Sequence, residues 1–118
     1  MPTTQELGAL GEHVACEYLR RQERLALLHR NWRCPDGELD VVATDGARLV
    51  VCEVKCRSGT GRGSPLDTVS PAKLERVRAL ARRWRDLHGL HRLAIRCDLV
   101  GVLWPRSGPV RLHHLRGA

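Results

Sequence analysis

Three acids and a lysine occupy two short, otherwise apolar segments in the first half of the chain. Glu38 and Asp40 lie in the first segment, and Glu53 and Lys55 lie in the second. Burying such groups among Val and Leu is costly unless they are paired or bind a metal ion. Carboxylate oxygens are the ligands that a hard divalent cation, Mg²⁺ or Mn²⁺, prefers. The pattern therefore indicates a cation site with Asp40 and Glu53 as ligands.

The chemistry that this set favours is metal-assisted hydrolysis of a phosphate ester. A bound divalent ion lowers the pKa of water and polarises a phosphoryl oxygen. Lys55, about 7 Å from Glu53 along the same strand face, could orient the attacking water or stabilise developing charge. The alternative is a solvated ion-pair network on an exposed sheet face, because Glu-x-Lys alone is a common and weak pattern.

A β-hairpin is predicted to bring the acids together. Residues 38–43 and 48–57 are β-rich runs that flank a Thr-Asp-Gly-Ala turn, whose Gly accepts the positive φ of a tight hairpin. Adjacent strands lie about 4.8 Å apart, so Asp40 and Glu53 can converge on one cation. Alternation places Glu38 on the face of Asp40, where we expect it to support that carboxylate from outside the cation site.

The first helix is predicted to add a fourth acid. A capping-box pattern over residues 3–6 opens a helix that extends to about residue 22. Gly8 and Gly11 each cost about 1 kcal/mol relative to Ala in a helix, and one compensation is close approach of another backbone. Such an approach would bring Glu12 toward the sheet. The alternative is that Glu12 is an ordinary surface residue.

The remaining pattern predicts one α/β domain over residues 1–118. Residues 25–33 form a short strand before the hairpin, and Ser70 with Pro71 starts a second helix that ends near residue 88. Strand-like runs over 92–104 and 110–115 follow. The order α-β-β-β-α-β-β indicates a central mixed sheet of about five strands flanked by helices.

Positive charge is concentrated in the second half of the chain. Residues 1–53 hold six Arg and nine Asp or Glu, whereas residues 54–118 hold fourteen Lys or Arg and four Asp or Glu. This asymmetry favours a polyanion held beside a metal site, and a solvated basic face is the alternative. The residues expected to contact a nucleic-acid backbone are Arg33, Arg57, Arg62, Lys73, Arg76, Arg82 and Arg83.

The Gly-rich segment 58–64 lacks a nucleotide-binding pattern. It is interpreted either as a loop that closes over a ligand or as a connector.

The five cysteines include no Cys-x-x-Cys pair, so we interpret them as reduced residues in or near the core rather than zinc ligands. No apolar run approaches the ~20 residues that cross a bilayer, and no secretory signal is present. A cytoplasmic location without a membrane partner is expected.

Several of these motifs together resemble the YraN-like family of bacterial proteins. Members of that family are similar to archaeal Holliday-junction resolvases and share the restriction-endonuclease-like, PD-(D/E)xK fold. The resemblance implies Asp40, Glu53 and Lys55 as the nuclease signature and Glu12 as an added helix acid. Cys52 and Cys97 depart from the usual pattern, in which Phe is common. The matching motifs are Gly8-x-x-Gly11-Glu12-x-x-Ala15, Asn31-Trp32-Arg33, Gly37-Glu38-Leu39-Asp40, Val51-Cys52-Glu53-Val54-Lys55-Cys56-Arg57, Lys73 and Arg96-Cys97-Asp98.

The function that the resemblance implies is a Mg²⁺-dependent endonuclease acting on structured or branched DNA. The alternative is a nucleic-acid-binding module that keeps the nuclease fold without cleaving. Resolvases of this fold act as dimers, which makes a homodimer an expected assembly. No apolar stripe in the sequence identifies an interface.

Overall fold

The computed structural model describes residues 3–59, 66 and 69–118, in which two helices pack on a mixed β-sheet of five strands. The strand order is β1-β2-β3-β4-β5; β3 and β4 are parallel, and the other neighbours are antiparallel. This arrangement confirms the predicted fold class and element order. The elements are α1 (Thr4–Arg21), β1 (Ala26–Cys34), β2 (Gly37–Thr44), β3 (Arg48–Ser58), α2 (Pro71–Leu87), β4 (Ala94–Trp104) and β5 (Arg111–Leu115).

Side-chain caps fix the start of both helices where the sequence predicts them. The Glu6 amide donates to Thr3 Oγ1 at 3.1 Å and the Thr3 amide donates to Glu6 Oε1 at 3.2 Å, which is the capping box. Ser70 caps α2 by accepting from the Lys73 amide at 3.1 Å. No helix within these residues is long and apolar enough to cross a membrane.

The hairpin turn sets the register of the two strands that carry the acids. Asp45 Oδ1 accepts the Ala47 amide at 2.9 Å and the Arg48 amide at 2.6 Å. Gly46 adopts φ +94°, a left-handed conformation that favours glycine. The resulting β2–β3 register includes Val41↔Cys52.

The sheet separates two apolar clusters, one beneath each helix. Ala15 and Leu19 of α1 pack on one face, and Val77 and Trp84 of α2 pack on the other. All five cysteines are free; Cys16, Cys52 and Cys97 are buried, and Cys34 and Cys56 are half-buried. The interpretation of the cysteines as reduced core or near-core residues is confirmed.

Gly11 allows α1 to lie directly on β3. A Cβ atom at this position would lie 2.6 Å from Cys56 Sγ and 2.7 Å from Cys56 Cβ, closer than real Cβ contacts. The neighbour is thus a side chain of β3 rather than a backbone. The same expectation for Gly8 is wrong, because no atom lies within 4 Å of a Cβ there.

We predict opposite effects of alanine at the two glycines of α1. Gly11→Ala should lower the free energy of unfolding by about 1–2 kcal/mol, since the contact with Cys56 becomes overpacked. Gly8→Ala should raise it by about 1 kcal/mol through helix propensity alone. Urea denaturation of both variants measures the difference. Equal stabilisation by the two substitutions would contradict the close approach.

Candidate functional site

Asp40 lies immediately beyond the last paired residues of β2 and β3. Strand pairing ends at Val41↔Cys52, and Asp40 Oδ2 instead accepts the backbone N–H of Val54 at 2.8 Å. On the β1 side, Asn31 lies opposite Asp40, between the pairs Arg30↔Val41 and Trp32↔Leu39, and has a left-handed backbone with φ +54°. The carboxylate of Asp40 thereby supplies an acceptor to β3 and is fixed beside that strand.

Glu53 is the most buried acid of the predicted set. Its side chain is 8% exposed, and Lys73 Nζ of α2 lies 3.2 Å from Glu53 Oε1. Burial raises the pKa of Glu53 to about 7, the adjacent charge of Asp40 adds to this, and the Lys73 ammonium opposes it. Glu53 is therefore the acid of the pair that retains a proton near neutral pH.

Asp40 and Glu53 form a carboxyl pair in which each group affects the pKa of the other. Burial raises the pKa of Asp40 above its ordinary value, although the hydrogen bond from the Val54 amide acts against this. The protonated Glu53 carboxyl group donates a hydrogen bond to the Asp40 carboxylate, which lowers the pKa of Asp40 and raises that of Glu53. The predicted convergence of these acids from neighbouring strands is thus present in the structure.

Glu12 extends from α1 toward the same region. Its Oε1 atom is fully buried and has no hydrogen-bond partner among the residues described. Burial raises the pKa of Glu12, and the charge of Asp40 raises it further, whereas Arg30 and Asn31 act in the opposite direction. The close approach at Gly11 explains why a residue of α1 reaches the sheet. Glu12 is not an ordinary surface acid.

Lys55 and Glu38 occupy the edges of this cluster. Lys55 is half-buried on β3, and its side chain makes no hydrogen bond or ion pair with any residue within 3–59, 66 and 69–118. Glu38 is exposed and accepts from Arg33 Nε at 3.1 Å. Its charge contributes to the raised pKa of Asp40. Glu38 acts on Asp40 through charge, without a direct hydrogen bond.

The expected nucleic-acid contacts do not form one continuous surface. Lys73 belongs to the acid cluster through its ion pair with Glu53. Arg83 pairs with Asp36 in the β1–β2 turn, whereas Arg82 lies 3.8 Å from Glu75 of its own helix. Exposed ion pairs of this kind contribute about 0–1 kcal/mol, so both guanidinium groups stay accessible to a phosphate.

The four remaining arginines of that set differ in their surroundings. Arg33 is exposed and forms an ion pair with Glu38. Arg76 is exposed on α2, and Arg57 is half-buried near the end of β3. Arg62 and most of the Gly-rich segment lie outside the described residues. The predicted role of that segment therefore stays a prediction.

Asp40, Glu53 and Glu12 meet part of what a divalent-cation site requires. In the part of the chain that the structure describes, no group of three or more His, Cys, Asp and Glu side chains is arranged to hold a metal ion. The pair Asp40 and Glu53 nevertheless presents raised carboxyl pKa values, and Glu12 adds a buried oxygen without a partner. A cation would neutralise the charge of this pair. It would also give the buried Glu12 oxygen a partner, without which that oxygen is costly to bury.

Sequence reasoning missed a buried network around Asp98. Asp98 accepts from Arg96 at 2.9 Å, from His114 Nε2 at 2.7 Å and from the Gly117 amide at 3.1 Å. His114 Nδ1 lies 2.8 Å from the Tyr18 hydroxyl. Alternation along β4 places Arg96 and Asp98 together, but only the β4–β5 register brings His114 to them. The network joins β5 to α1 on the face away from α2.

Burial alone would raise the pKa of Asp98. The hydrogen bonds from Arg96, Gly117 and His114 outweigh that cost and hold the pKa below its ordinary value. Successive residues of a strand point to opposite faces, and His113 is exposed whereas His114 is half-buried.

The mixed sheet and its two flanking helices define an α/β protein. Its distinguishing feature is the buried carboxyl pair of Asp40 and Glu53 at one end of the β2–β3 hairpin. The chain belongs to the uncharacterised protein family UPF0102, whose sequence profile matches residues 11–102. This is the YraN-like family that the motifs indicate, and the resemblance is confirmed.

Similar proteins of this family occur in several bacteria. A UPF0102 protein of Beutenbergia cavernae is 49% identical over 117 residues, covering 99% of this chain and 98% of its own length. One from Renibacterium salmoninarum is 46% identical over 117 residues, with coverages of 99% and 98%. Another, from Frankia alni, is 49% identical over 118 residues and covers 100% and 98% of the two chains. The likeness extends over the whole chain.

We predict that Glu53 makes the protein less stable as pH rises. The folded state keeps this proton to about pH 7, whereas the ordinary pKa is 4.5. Because the folded state then binds more protons than the unfolded chain, the free energy of unfolding falls between about pH 4.5 and about pH 7. Glu53→Gln, a neutral mimic, should remove this dependence and raise stability at pH 8 by about 2 kcal/mol.

Urea denaturation in EDTA at pH values from 5 to 8 measures this dependence. Glu17→Gln is the control, because Glu17 lies on α1 with its pKa lowered by hydrogen bonding to Arg20. That variant should keep the wild-type pH dependence over this interval. If Glu53→Gln also keeps it, the raised pKa of Glu53 is refuted.

Proposed function

We propose that this protein is a Mg²⁺-dependent endonuclease whose substrate is nucleic acid, with structured or branched DNA as the expected form. The observation that carries the proposal is the buried pair of Asp40 and Glu53, with Lys55 following on the same strand. Two carboxyl groups and a lysine in this order match the nuclease signature that the family resemblance implies. The unpartnered buried oxygen of Glu12 adds a further reason to expect a cation.

Asp40 and Glu53 are the residues that would hold the metal ion, with Glu12 close enough to Asp40 to be affected by its charge. When bound, Mg²⁺ supplies a Lewis acid that polarises a phosphoryl oxygen and makes water more acidic. Asp40 is held for this role by the Val54 amide. Glu53 must give up its proton to serve as a ligand, and the Lys73 ammonium favours its ionised form.

Lys55 is the residue proposed to act on the attacking water. It is half-buried and free of ion pairs with described residues, so its ammonium is available to a phosphate oxygen or to water. Lys73 is proposed to position Glu53, since its ammonium group lies 3.2 Å from Glu53 Oε1. These two lysines therefore have different tasks, one toward the substrate and one toward the acid pair.

Substrate binding is proposed to depend on Arg33 and on the basic residues of the second half of the chain. Arg76 is exposed, and Arg33 keeps only an exposed ion pair with Glu38. Neutralising backbone phosphates with such groups gives affinity that falls steeply with salt. The preference for branched DNA, and a homodimer as the active assembly, rest on the resemblance to resolvases alone.

We predict that divalent-metal-dependent cleavage requires Asp40, Glu53 and Lys55. Asp40→Ala and Glu53→Ala should abolish cleavage by removing ligands, and Lys55→Ala should reduce the rate on the order of 10²–10⁴-fold. Rates are measured with Mg²⁺ on four-way junction, flap, duplex and single-stranded substrates. Glu17→Ala, an acid of α1 outside the cluster, is the control and should cleave normally. Absence of cleavage by the wild type, or equal cleavage by all variants, would refute the nuclease assignment.

A second prediction concerns stability and needs no substrate. Mg²⁺ should stabilise the wild type by about 1.4 kcal/mol at a tenfold excess over its dissociation constant, because it binds the folded state alone. Asp40→Asn should lose this stabilisation, and Glu17→Gln should keep it. Thermal or urea denaturation with and without Mg²⁺ gives the values. Equal stabilisation of Asp40→Asn and wild type would place the metal elsewhere.

A nucleic-acid-binding module without catalysis is the second candidate function. It is favoured by the Lys73 ammonium, which already lies 3.2 Å from Glu53 Oε1, and by the lack of a ready three-ligand cluster within the described ranges. This function predicts binding that is steeply salt-dependent and unchanged by EDTA. Substitution of Arg82 and Arg83 would weaken that binding, whereas Asp40→Ala would leave it intact.

A further inference from the structure

An open cavity of about 370 Å³ lies on the flank of α2 that faces β4. Four of the eight described residues that line it are arginines: Arg78, Arg82, Arg85 and Arg96. Ile95 and Cys97 add apolar surface, and Gly117 and Ala118 complete this set. The acid cluster described above contributes no side chain to this cavity.

The spacing along α2 explains why three of these arginines converge. Arg78, Arg82 and Arg85 are separated by four and three residues, which places them on one face of a helix. Arg83 follows Arg82 directly but reaches the turn between β1 and β2, where it binds Asp36. The arginines of α2 therefore divide between two flanks, and one flank supplies the cavity.

Three of the four guanidinium groups are held in place by the protein itself. Arg96 donates two hydrogen bonds of 2.9 Å to Asp98, Arg85 donates to the carbonyl oxygen of Leu93 at 3.2 Å, and Arg78 donates to a main-chain oxygen of Ala118. Such anchoring reduces the conformational entropy that a ligand would otherwise have to remove.

Some guanidinium N–H groups remain available to a ligand after these contacts are made. A guanidinium carries five N–H groups, and each of these arginines uses only some of them. The other acids in contact, Glu75 and Asp86, have side chains 67% and 53% exposed, so their pairs are weak. Arg82 is the least engaged, because its only ion-pair distance to a described residue is 3.8 Å, to Glu75.

We propose that this cavity binds a phosphate group. Arginine is suited to phosphate because its planar N–H pairs match two phosphate oxygens, and here several guanidinium groups surround one space. Ile95 and Cys97 offer an apolar surface for the sugar or base attached to that phosphate. The phosphate belongs either to a nucleic-acid strand or to a free mononucleotide. The site is separate from the acid cluster and does not depend on cleavage.

The test is calorimetric titration of the full-length chain in EDTA with inorganic phosphate, with a 5′-mononucleotide and with a short oligonucleotide. Wild type should bind phosphate saturably. Arg82→Gln should weaken this binding about tenfold, as expected for loss of a charge-assisted contact. Arg20→Gln is the matched control: it makes the same charge change at a side chain of equal exposure on α1, 52% against 51%. Its phosphate affinity should equal that of the wild type.

The proposal is overturned if wild type shows no saturable phosphate binding, or if Arg82→Gln and Arg20→Gln weaken it equally. The source of the phosphate follows from competition. If saturating phosphate displaces the oligonucleotide, the cavity takes a strand phosphate; if the mononucleotide binds more tightly and the oligonucleotide is unaffected, it takes a free nucleotide. No cleavage enters the readout, so failure of the nuclease assignment and failure of this site remain distinguishable.

Discussion

Two neighbouring carboxyl groups cannot both be ionised in a buried place without compensating positive charge or hydrogen-bond donors. Asp40 and Glu53 meet this constraint with the Val54 amide on one side and the Lys73 ammonium on the other. Both partners depend on larger features. The Val54 amide is free for Asp40 because β2–β3 pairing ends at Val41, and Lys73 reaches Glu53 because Ser70 starts α2 above β3.

The electrostatic balance at this pair also links the two helices. The Lys73 ammonium comes from α2, whereas the additional acid, Glu12, comes from α1 on the opposite face of the sheet. Asp40 affects both, since its charge raises the pKa of Glu12 and of Glu53. A change in the charge of Asp40 would therefore alter the pKa of an acid on each face of the sheet. This makes Asp40 the central residue of the site.

Features determined by local sequence were predicted well. The Asp-Gly turn, the capping box at Thr3 and the cap at Ser70 each depend on residues a few positions apart, and all are present. Pairing of Asp40 with Glu53 was also predictable, because the turn sets the strand register. The raised pKa of Glu53 could not be predicted from the sequence, since it depends on how deeply the whole fold buries both groups.

Long-range contacts account for what the sequence did not predict. The pattern of α2 placed Lys73 on a cationic surface, but packing of α2 on β3 turns it toward Glu53. Division of the α2 arginines between two flanks follows from contacts with Asp36 on one side and β4 on the other. His114 could be placed beside Asp98 only from the pairing of β5 with β4.

The left-handed backbone at Asn31 has a consequence for how copies of this chain meet. β1 is an edge strand, and a regular edge invites another chain to add a strand. The register of β1 shifts between Leu27 and His29, and Asn31 adds a left-handed backbone close by. These irregularities, with the like charges of the exposed Arg30 and Arg33, oppose regular extension of the sheet by another strand.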